Sequence, residues 1–198
     1  MLTIEHDISK IDKYFITPEY YVNNSRKYFS IIENILDNGI KLLQFRSKKI
    51  SSDEYIKISK KIYKICEKYN ALYIINDYCN YKHNEFCHGI QLTAKNLINL
   101  EELSLKKNYY YFGSCHNEEE INICNNVDLI KMILISPIKD TSNKKGIGWK
   151  RFNNLANLSQ KKVMALGGLN YEKDIKTAKK NGGSGVAASS YFFELYNL

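Results

Sequence analysis

The chain is short of punctuation. Its 198 residues include only two prolines, Pro18 and Pro137. No Pro/Gly/Ser-rich break or low-complexity stretch separates one part from another, so composition marks no domain boundary. No apolar run approaches the ~18–20 residues a membrane span needs. The N-terminal MLTIEHDISKIDKY brings acids early and no apolar core after them, which is not a signal-peptide layout. Five cysteines, an odd number, are irregularly spaced without a C-x-x-C pair. That pattern argues against both a disulfide framework and a structural zinc site. These absences lead to the expectation of one large domain over residues 1–198, cytoplasmic, with reduced and mostly buried thiols.

What is present in excess is positive charge, a formal +8. A basic balance invites a nucleic-acid reading. The lysines, however, are spread along the chain rather than gathered in one arm, and no basic platform interleaved with aromatics is visible. The expectation is no nucleic acid and no membrane. Phosphorylated small molecules suit a positive field equally well, and oligomerisation is left open.

Short apolar runs alternate with amphipathic segments, the signature of β/α units. The runs are KYFIT (13–17), IKLLQF (40–45), ALYIIN (71–76), HGIQL (88–92), YYYFGS (109–114), DLIKMILIS (128–136), KVMALGG (162–168) and SGVAAS (184–189). Segment 28–38 places Phe29, Ile32, Ile35 and Leu36 on one helical face and stops at Asn38-Gly39. Segment 53–69 does the same with Tyr55, Ile58, Ile62 and Ile65, with Ser51, Ser52 or Asp53 as cap. Segment 171–180 follows Asn170 as a cap, turns Ile175 and Ala178 inward and ends at Gly182-Gly183. Eight such units in about 200 residues predict an α/β fold, a single (β/α)8 TIM barrel, with an open doubly wound sheet as the alternative.

Catalysis in such barrels sits at the carboxyl ends of the strands. The second run ends LLQFRSKK, and residues two apart on a strand share a face, so Gln44, Arg46 and Lys48 stand together with Leu42 behind them. Two cations taken out of water call for an anion; a solvated rim is the bland alternative. The third run ends Asn76-Asp77, where Asp77 either caps the next helix or holds Mg2+ beside a polyphosphate. The fifth ends Ser114-Cys115-His116, and His116 is either a loop residue or a proton carrier. Gly167-Gly168 and Gly183-x-Gly185, with Ser189-Ser190 and the short helix YFFELYN, fit either a phosphate site or plain strand–helix turn chemistry.

Together these stretches resemble the thiamine-phosphate synthase / thiazole tautomerase (TenI-like) family over most of the chain, from about Tyr14 to Phe192. The likeness rests on QFRSK, IIND, GIQL, GSCH, SPIKDTSNK followed by GIGW, ALGGL and GVAASSYF, in that order. The resemblance implies a transferase that joins hydroxymethylpyrimidine pyrophosphate to thiazole phosphate in thiamine biosynthesis, with Mg2+ as cofactor. By the same likeness, Gln44, Arg46 and Lys48 meet the pyrimidine substrate and its pyrophosphate. Asn76 touches that substrate, Asp77 ligates the metal and Ser114 contacts the leaving group. Thr141 and Lys144 bind phosphate from a closing loop, while Gly168, Ser189 and Ser190 hold the thiazole phosphate.

Three positions depart from the family pattern. Asn96 stands where the synthases carry a second metal-binding Asp. Gln91 replaces the His of G-V-H-L, and Asn143 replaces the second Thr of T-x-T-K. His116 matches the histidine that resembles the tautomerase proton shuttle. The alternatives are therefore a thiazole tautomerase using His116, or a barrel that binds a thiamine precursor or a partner protein without turnover.

Overall fold

Eight parallel strands run in chain order around a closed barrel. They are β1 (Lys13–Ile16), β2 (Leu42–Phe45), β3 (Leu72–Asn76), β4 (Gly89–Leu92), β5 (Tyr110–Cys115), β6 (Ile130–Ile135), β7 (Lys162–Leu166) and β8 (Gly185–Ala188). The computed structural model describes residues 7–77, 85–142 and 144–196. Pairing of β1 with β8, Lys13 opposite Val186 and Phe15 opposite Ala188, closes the ring and excludes the open sheet. All eight apolar runs become strands, each trimmed by a residue or more at one or both ends.

Strands buried on both faces have few polar positions, which is why these segments read as continuous apolar runs. Alternation then divides them. Tyr14, Ile16, Leu42, Leu72, Ile74, Phe112, Met132, Leu134, Met164 and Ala187 fill the lumen. Their neighbours, among them Phe15, Leu43, Phe45, Tyr73 and Ile75, pack outward against the helices.

The helices are α1 (Ser25–Asp37), α2 (Ser52–Lys68), α3 (Ala94–Ile98), α4 (Glu118–Asn125), α5 (Gly148–Ala156), α6 (Tyr171–Lys180) and α7 (Ser190–Leu195). Ser51 caps α2 by accepting from the Glu54 N–H at 3.2 Å, and Asn170 caps α6 by accepting from the Lys173 N–H at 3.1 Å. The buried stripes are wider than the sequence periodicity predicts. Helix α1 buries Tyr28 and Ile31 as well as Ile32, Ile35 and Leu36, with Phe29 only half-buried. Helix α2 buries Ser59 and Cys66 and leaves Ile65 half-buried. A helix on a barrel covers two strands and leans on its neighbours, so its buried arc exceeds one narrow seam.

Cys66, Cys87, Cys115 and Cys124 are free and buried; Cys79 and Asn143 lie outside the described residues. Among the described residues no helix is long and apolar enough to cross a membrane.

Candidate active site

Near the carboxyl ends of the strands polar side chains enter the lumen. Gln44 and Gln91 are almost fully buried there, at 1 % exposure each. The Gln44 amide donates to the Tyr14 hydroxyl at 2.8 Å and to Gln91 Oε1 at 3.3 Å. The Tyr14 hydroxyl donates to Gln91 Oε1 at 3.4 Å, and the Gln91 amide donates to Ser114 Oγ at 3.0 Å. Side chains from β1, β2, β4 and β5 thus form one chain of hydrogen bonds, which satisfies polar groups that would otherwise be costly to bury. Burial pushes the Tyr14 phenol far above its usual range, so it remains a neutral donor.

Strand β2 stops at Phe45, so Arg46 and Lys48 are loop residues rather than the last strand residues. Their alternation persists nonetheless: Arg46 and Lys48 are exposed and Ser47 between them is buried. The loop is gripped by the segment after β1. Thr17 Oγ1 accepts from the Arg46 N–H at 3.0 Å. Glu19 Oε1 accepts from the Ser47 hydroxyl at 2.6 Å, the Lys48 N–H at 2.6 Å and the Lys49 N–H at 2.7 Å. Burial works to raise the Glu19 carboxyl, but these donors outweigh it and hold it below the ordinary carboxylate range. Neither the Arg46 nor the Lys48 side chain has an ion-pair partner among the described residues.

Tyr55 at the start of α2 ties this corner to β3. Its hydroxyl donates to the Phe45 carbonyl at 3.0 Å and accepts from the Asn76 N–H at 3.3 Å. Asp77 comes next, with φ +73° and its N–H on the Gln91 carbonyl at 3.0 Å. A non-glycine residue in that region is uncommon, although Asp tolerates it better than most. The turn sets Asp77 at the mouth of the barrel between β3 and β4. The segment it leads into, 78–84, lies outside the described residues. Asn96 is 8 % exposed and works as a helix cap. Its Oδ1 accepts from the Thr93 N–H at 3.0 Å and its N–H donates to Thr93 Oγ1 at 3.2 Å. Among the described residues no group of three or more His, Cys, Asp or Glu side chains is placed to hold a metal.

His116 leaves the end of β5 with its backbone N–H on Glu120 Oε2 at 2.5 Å, and its Nδ1 lies 2.6 Å from the Ser136 carbonyl. A carbonyl only accepts, so Nδ1 carries a proton and Nε2 is the ring nitrogen left to exchange one.

The loop after β6 folds back on itself. Asp140 Oδ1 accepts from the Gly146 N–H at 2.6 Å, and Thr141 and Lys144 exchange hydrogen bonds through the Thr141 hydroxyl at 3.2 Å each way. Lys139 forms a forked pair with buried Asp174, 2.8 Å to each oxygen, which fastens the loop to α6. Gly167 has φ +107°, and a Cβ there would stand 2.6 Å from Pro137 Cα. Only glycine lets the loop lie this close over β7. Gly168 is exposed beside it, with the Asp140 carbonyl 3.1 Å from where its Cβ would be. β8 stops at Ala188, so Ser189 stands past the strand as the residue before α7 and Ser190 opens the helix; neither hydroxyl is hydrogen-bonded among the described residues.

The structure thus brings Gln44, Ser114 and the non-candidate Gln91 into direct contact. It sets Arg46, Lys48, Asn76, Asp77, His116, Thr141, Lys144, Gly168, Ser189 and Ser190 around the same pole, on separate strand ends and loops. Sequence reasoning missed Tyr14, Glu19, Tyr55, Lys139 and Asp174, whose partners are distant in the chain. A buried Tyr and an acid straight after Thr17-Pro18 carry no periodic signal.

Comparison with known proteins identifies relatives along most of the chain. The model of the family described as thiamine monophosphate synthase matches residues 13–192. A relative named putative thiamine-phosphate synthase 2, from Aquifex aeolicus, is 28% identical over 182 residues, covering 88% of this chain and 97% of its own. A thiamine-phosphate synthase of Limosilactobacillus reuteri is 25% identical over 185 residues, 89% of this chain and 85% of its own. The solved thiamine phosphate pyrophosphorylase of Pyrococcus furiosus superposes with a TM-score of 0.76 at 18% identity over 96% of both chains, a likeness of fold. With the family's model spanning β1 to α7, the chain belongs to the thiamine monophosphate synthase family.

Proposed function

We propose that the protein joins hydroxymethylpyrimidine pyrophosphate to thiazole phosphate, releasing pyrophosphate and forming thiamine phosphate. The observation that carries this reading is the set of exposed cations, Arg46, Lys48 and Lys144, left without ion-pair partners at the pole that holds the buried Gln44–Gln91–Ser114 network. Such cations are suited to a polyanion, and phosphorylated small molecules are the substrate class they fit.

In this reading the bond between the pyrimidine methylene carbon and the pyrophosphate oxygen breaks, and the electron pair leaves with the oxygen. Arg46, Lys48 and Lys144 receive the departing negative charge, which grows as the bond breaks, so their attraction is greater in the transition state than in the ground state. Ser114 accepts from Gln91, so its own hydroxyl proton is available to the leaving group. Gln44 spends both amide protons on Tyr14 and Gln91 and presents its carbonyl oxygen to the pyrimidine. Asn76 lines the same side. Gly168, Ser189 and Ser190 take the thiazole phosphate, and Thr141 shapes the loop that carries Lys144. The thiazole nitrogen then uses its lone pair to form the new C–N bond.

Mg2+ commonly uses one or two carboxylates together with substrate phosphates rather than an all-protein cage. Asp77, a single carboxylate at the mouth, fits that use, and Asn96 adds no charge. When bound, the ion would neutralise pyrophosphate charge.

The geometry of His116 favours a second reading, thiazole tautomerisation. An imidazole held at Nδ1 with Nε2 open is poised to move a proton. One assay addresses the first reading: purified protein, both substrates and Mg2+, with thiamine phosphate as the product sought. Its absence, with tight binding of thiazole phosphate, would remove the coupling reading.

A further inference from the structure

The 46–49 loop carries three cations in four residues, yet the backbone N–H groups of Arg46, Lys48 and Lys49 are all hydrogen-bonded to side chains. The grip comes from the neighbouring loop after β1 and centres on one atom. Glu19 Oε1 takes the Ser47 hydroxyl and the consecutive Lys48 and Lys49 N–H groups, at 2.6, 2.6 and 2.7 Å. The Tyr20 N–H donates to Ser47 Oγ at 3.3 Å from the same segment. Consecutive N–H groups converging on one point form a nest, a shape that takes an anionic oxygen. Here the chain supplies that oxygen itself, from 28 to 30 residues away.

We propose that Glu19 is a positioning residue of the pyrophosphate site: it fills the 47–49 nest and so presets the loop from which Arg46 and Lys48 reach out. This rests on reading the pole as a pyrophosphate site. Without the carboxylate oxygen the two N–H groups and the hydroxyl turn to water, and the loop must be ordered again each time the anion binds. Preset, Arg46 and Lys48 need only fix their side chains, which is the advantage of preorganisation. The reach of the side chain matters more than its charge, since one oxygen accepts all three bonds. Glu19 touches no substrate in this account.

Two near-isosteric variants separate reach from charge. Glu19→Gln keeps the acceptor oxygen at the same distance and removes the charge. Glu19→Asp keeps the charge and withdraws the oxygen by one methylene. Calorimetric titration with inorganic pyrophosphate in Mg2+ buffer should give Glu19→Gln within about threefold of wild type. Glu19→Asp should bind about tenfold more weakly, or worse, the size of effect that lost preorganisation of a short loop brings. In the coupling assay Glu19→Asp should raise KM for the pyrophosphate substrate and leave KM for thiazole phosphate within about twofold, a split that general loosening of the fold would not produce. Circular dichroism checks that both variants fold. Equal affinities for Glu19→Asp and wild type, the reverse order of the two variants, or no pyrophosphate binding by wild type would each overturn the proposal. A wild type that binds pyrophosphate in this Glu19-dependent way yet forms no thiamine phosphate would retire the coupling reading and leave the role of Glu19 standing.

Discussion

The two poles of the barrel differ in where their cations stand relative to buried polar groups. At the amino pole several lysines are answered locally, although exposed Lys107 and Lys180 have no ion pair. Lys41 donates to the Tyr69 carbonyl at 2.7 Å, Lys161 to that of Val127 at 3.1 Å and Lys162 to that of Ser9 at 2.5 Å. Lys179 pairs with Asp12 at 3.0 Å, and Lys13 sits 4.7 Å over the Tyr171 ring. At the carboxyl pole Lys139 is answered by Asp174, but Arg46, Lys48 and Lys144 are not answered among the described residues. An exposed lysine without a partner is common and means little alone. Three such cations beside a buried amide network, one carboxylate on a left-handed turn and two idle serine hydroxyls mean more. The net charge of +8 says that cations are in surplus, and their pairing says where the surplus is usable.

The contrast can be broken most sharply with substitutions at both poles. Arg46→Ala and Lys48→Ala should each lower coupling at least ~100-fold, the scale of removing one electrostatic partner of a developing anion. Lys41→Ala and Lys162→Ala, at the amino pole, should leave kcat/KM within about twofold. Steady-state kinetics on the four variants decides whether the poles differ in function or only in pairing.

His116 tests how the carboxyl pole divides its labour. Coupling needs no proton exchange with carbon, so His116→Asn should keep synthase turnover within roughly tenfold of wild type. Tautomerase activity, measured on the same preparation, should fall ~10²–10⁴-fold if the protein has it. Lost coupling with an intact circular dichroism spectrum would assign His116 to the synthase step.

Much of this was legible in the sequence, for a physical reason. Parallel strands buried on both faces leave unbroken apolar runs, and caps such as Ser51 and Asn170 are local chemistry. The strand ends stood out because several runs close on clusters of polar or small residues, as in LLQFRSKK. The supports were not legible. Glu19 meets residues 47–49, Lys139 meets Asp174 35 residues on, and Tyr14 meets Gln91 77 residues on. Each pairing exists only because the barrel brings distant loops or strands together. Asn96 shows the same limit from the other side. The motif comparison places it at a metal position, and the structure commits its oxygen to the Thr93 N–H.

The amino pole offers a smaller effect, on stability. His88 accepts the Tyr73 N–H at Nδ1, 2.9 Å, so Nε2 carries the proton toward Glu67 at 2.8 Å. Protonating Nδ1 would set two N–H groups against each other. Burial lowers the His88 pKa below its usual 6.5, and the pull of Glu67 the other way is the weaker influence. The unfolded chain therefore takes up this proton first as pH falls. Stability contributed by neutral His88 is complete above about 6.5 and is lost below it, by at most about 1.4 kcal/mol per pH unit. Urea midpoints measured across that range should fall with acid in the wild type and flatten in His88→Gln.

The smallest expected change concerns metal. Asn96→Asp keeps the acceptor for the Thr93 N–H and adds a charge near the mouth, so the Mg2+ concentration for half-maximal coupling should fall a few-fold, in line with a second carboxylate near the ion. An unchanged titration would place Asn96 wholly in the service of its helix.

If the unanswered cations mark where pyrophosphate sits, a crystal structure of the protein with pyrophosphate and Mg2+ will show it there. Pyrophosphate density is expected at the carboxyl pole, hydrogen-bonded to the Arg46 and Lys48 side chains, with the loop at 46–49 unmoved on Glu19. Pyrophosphate bound at the amino pole, or at the carboxyl pole without touching Arg46 or Lys48, would contradict it.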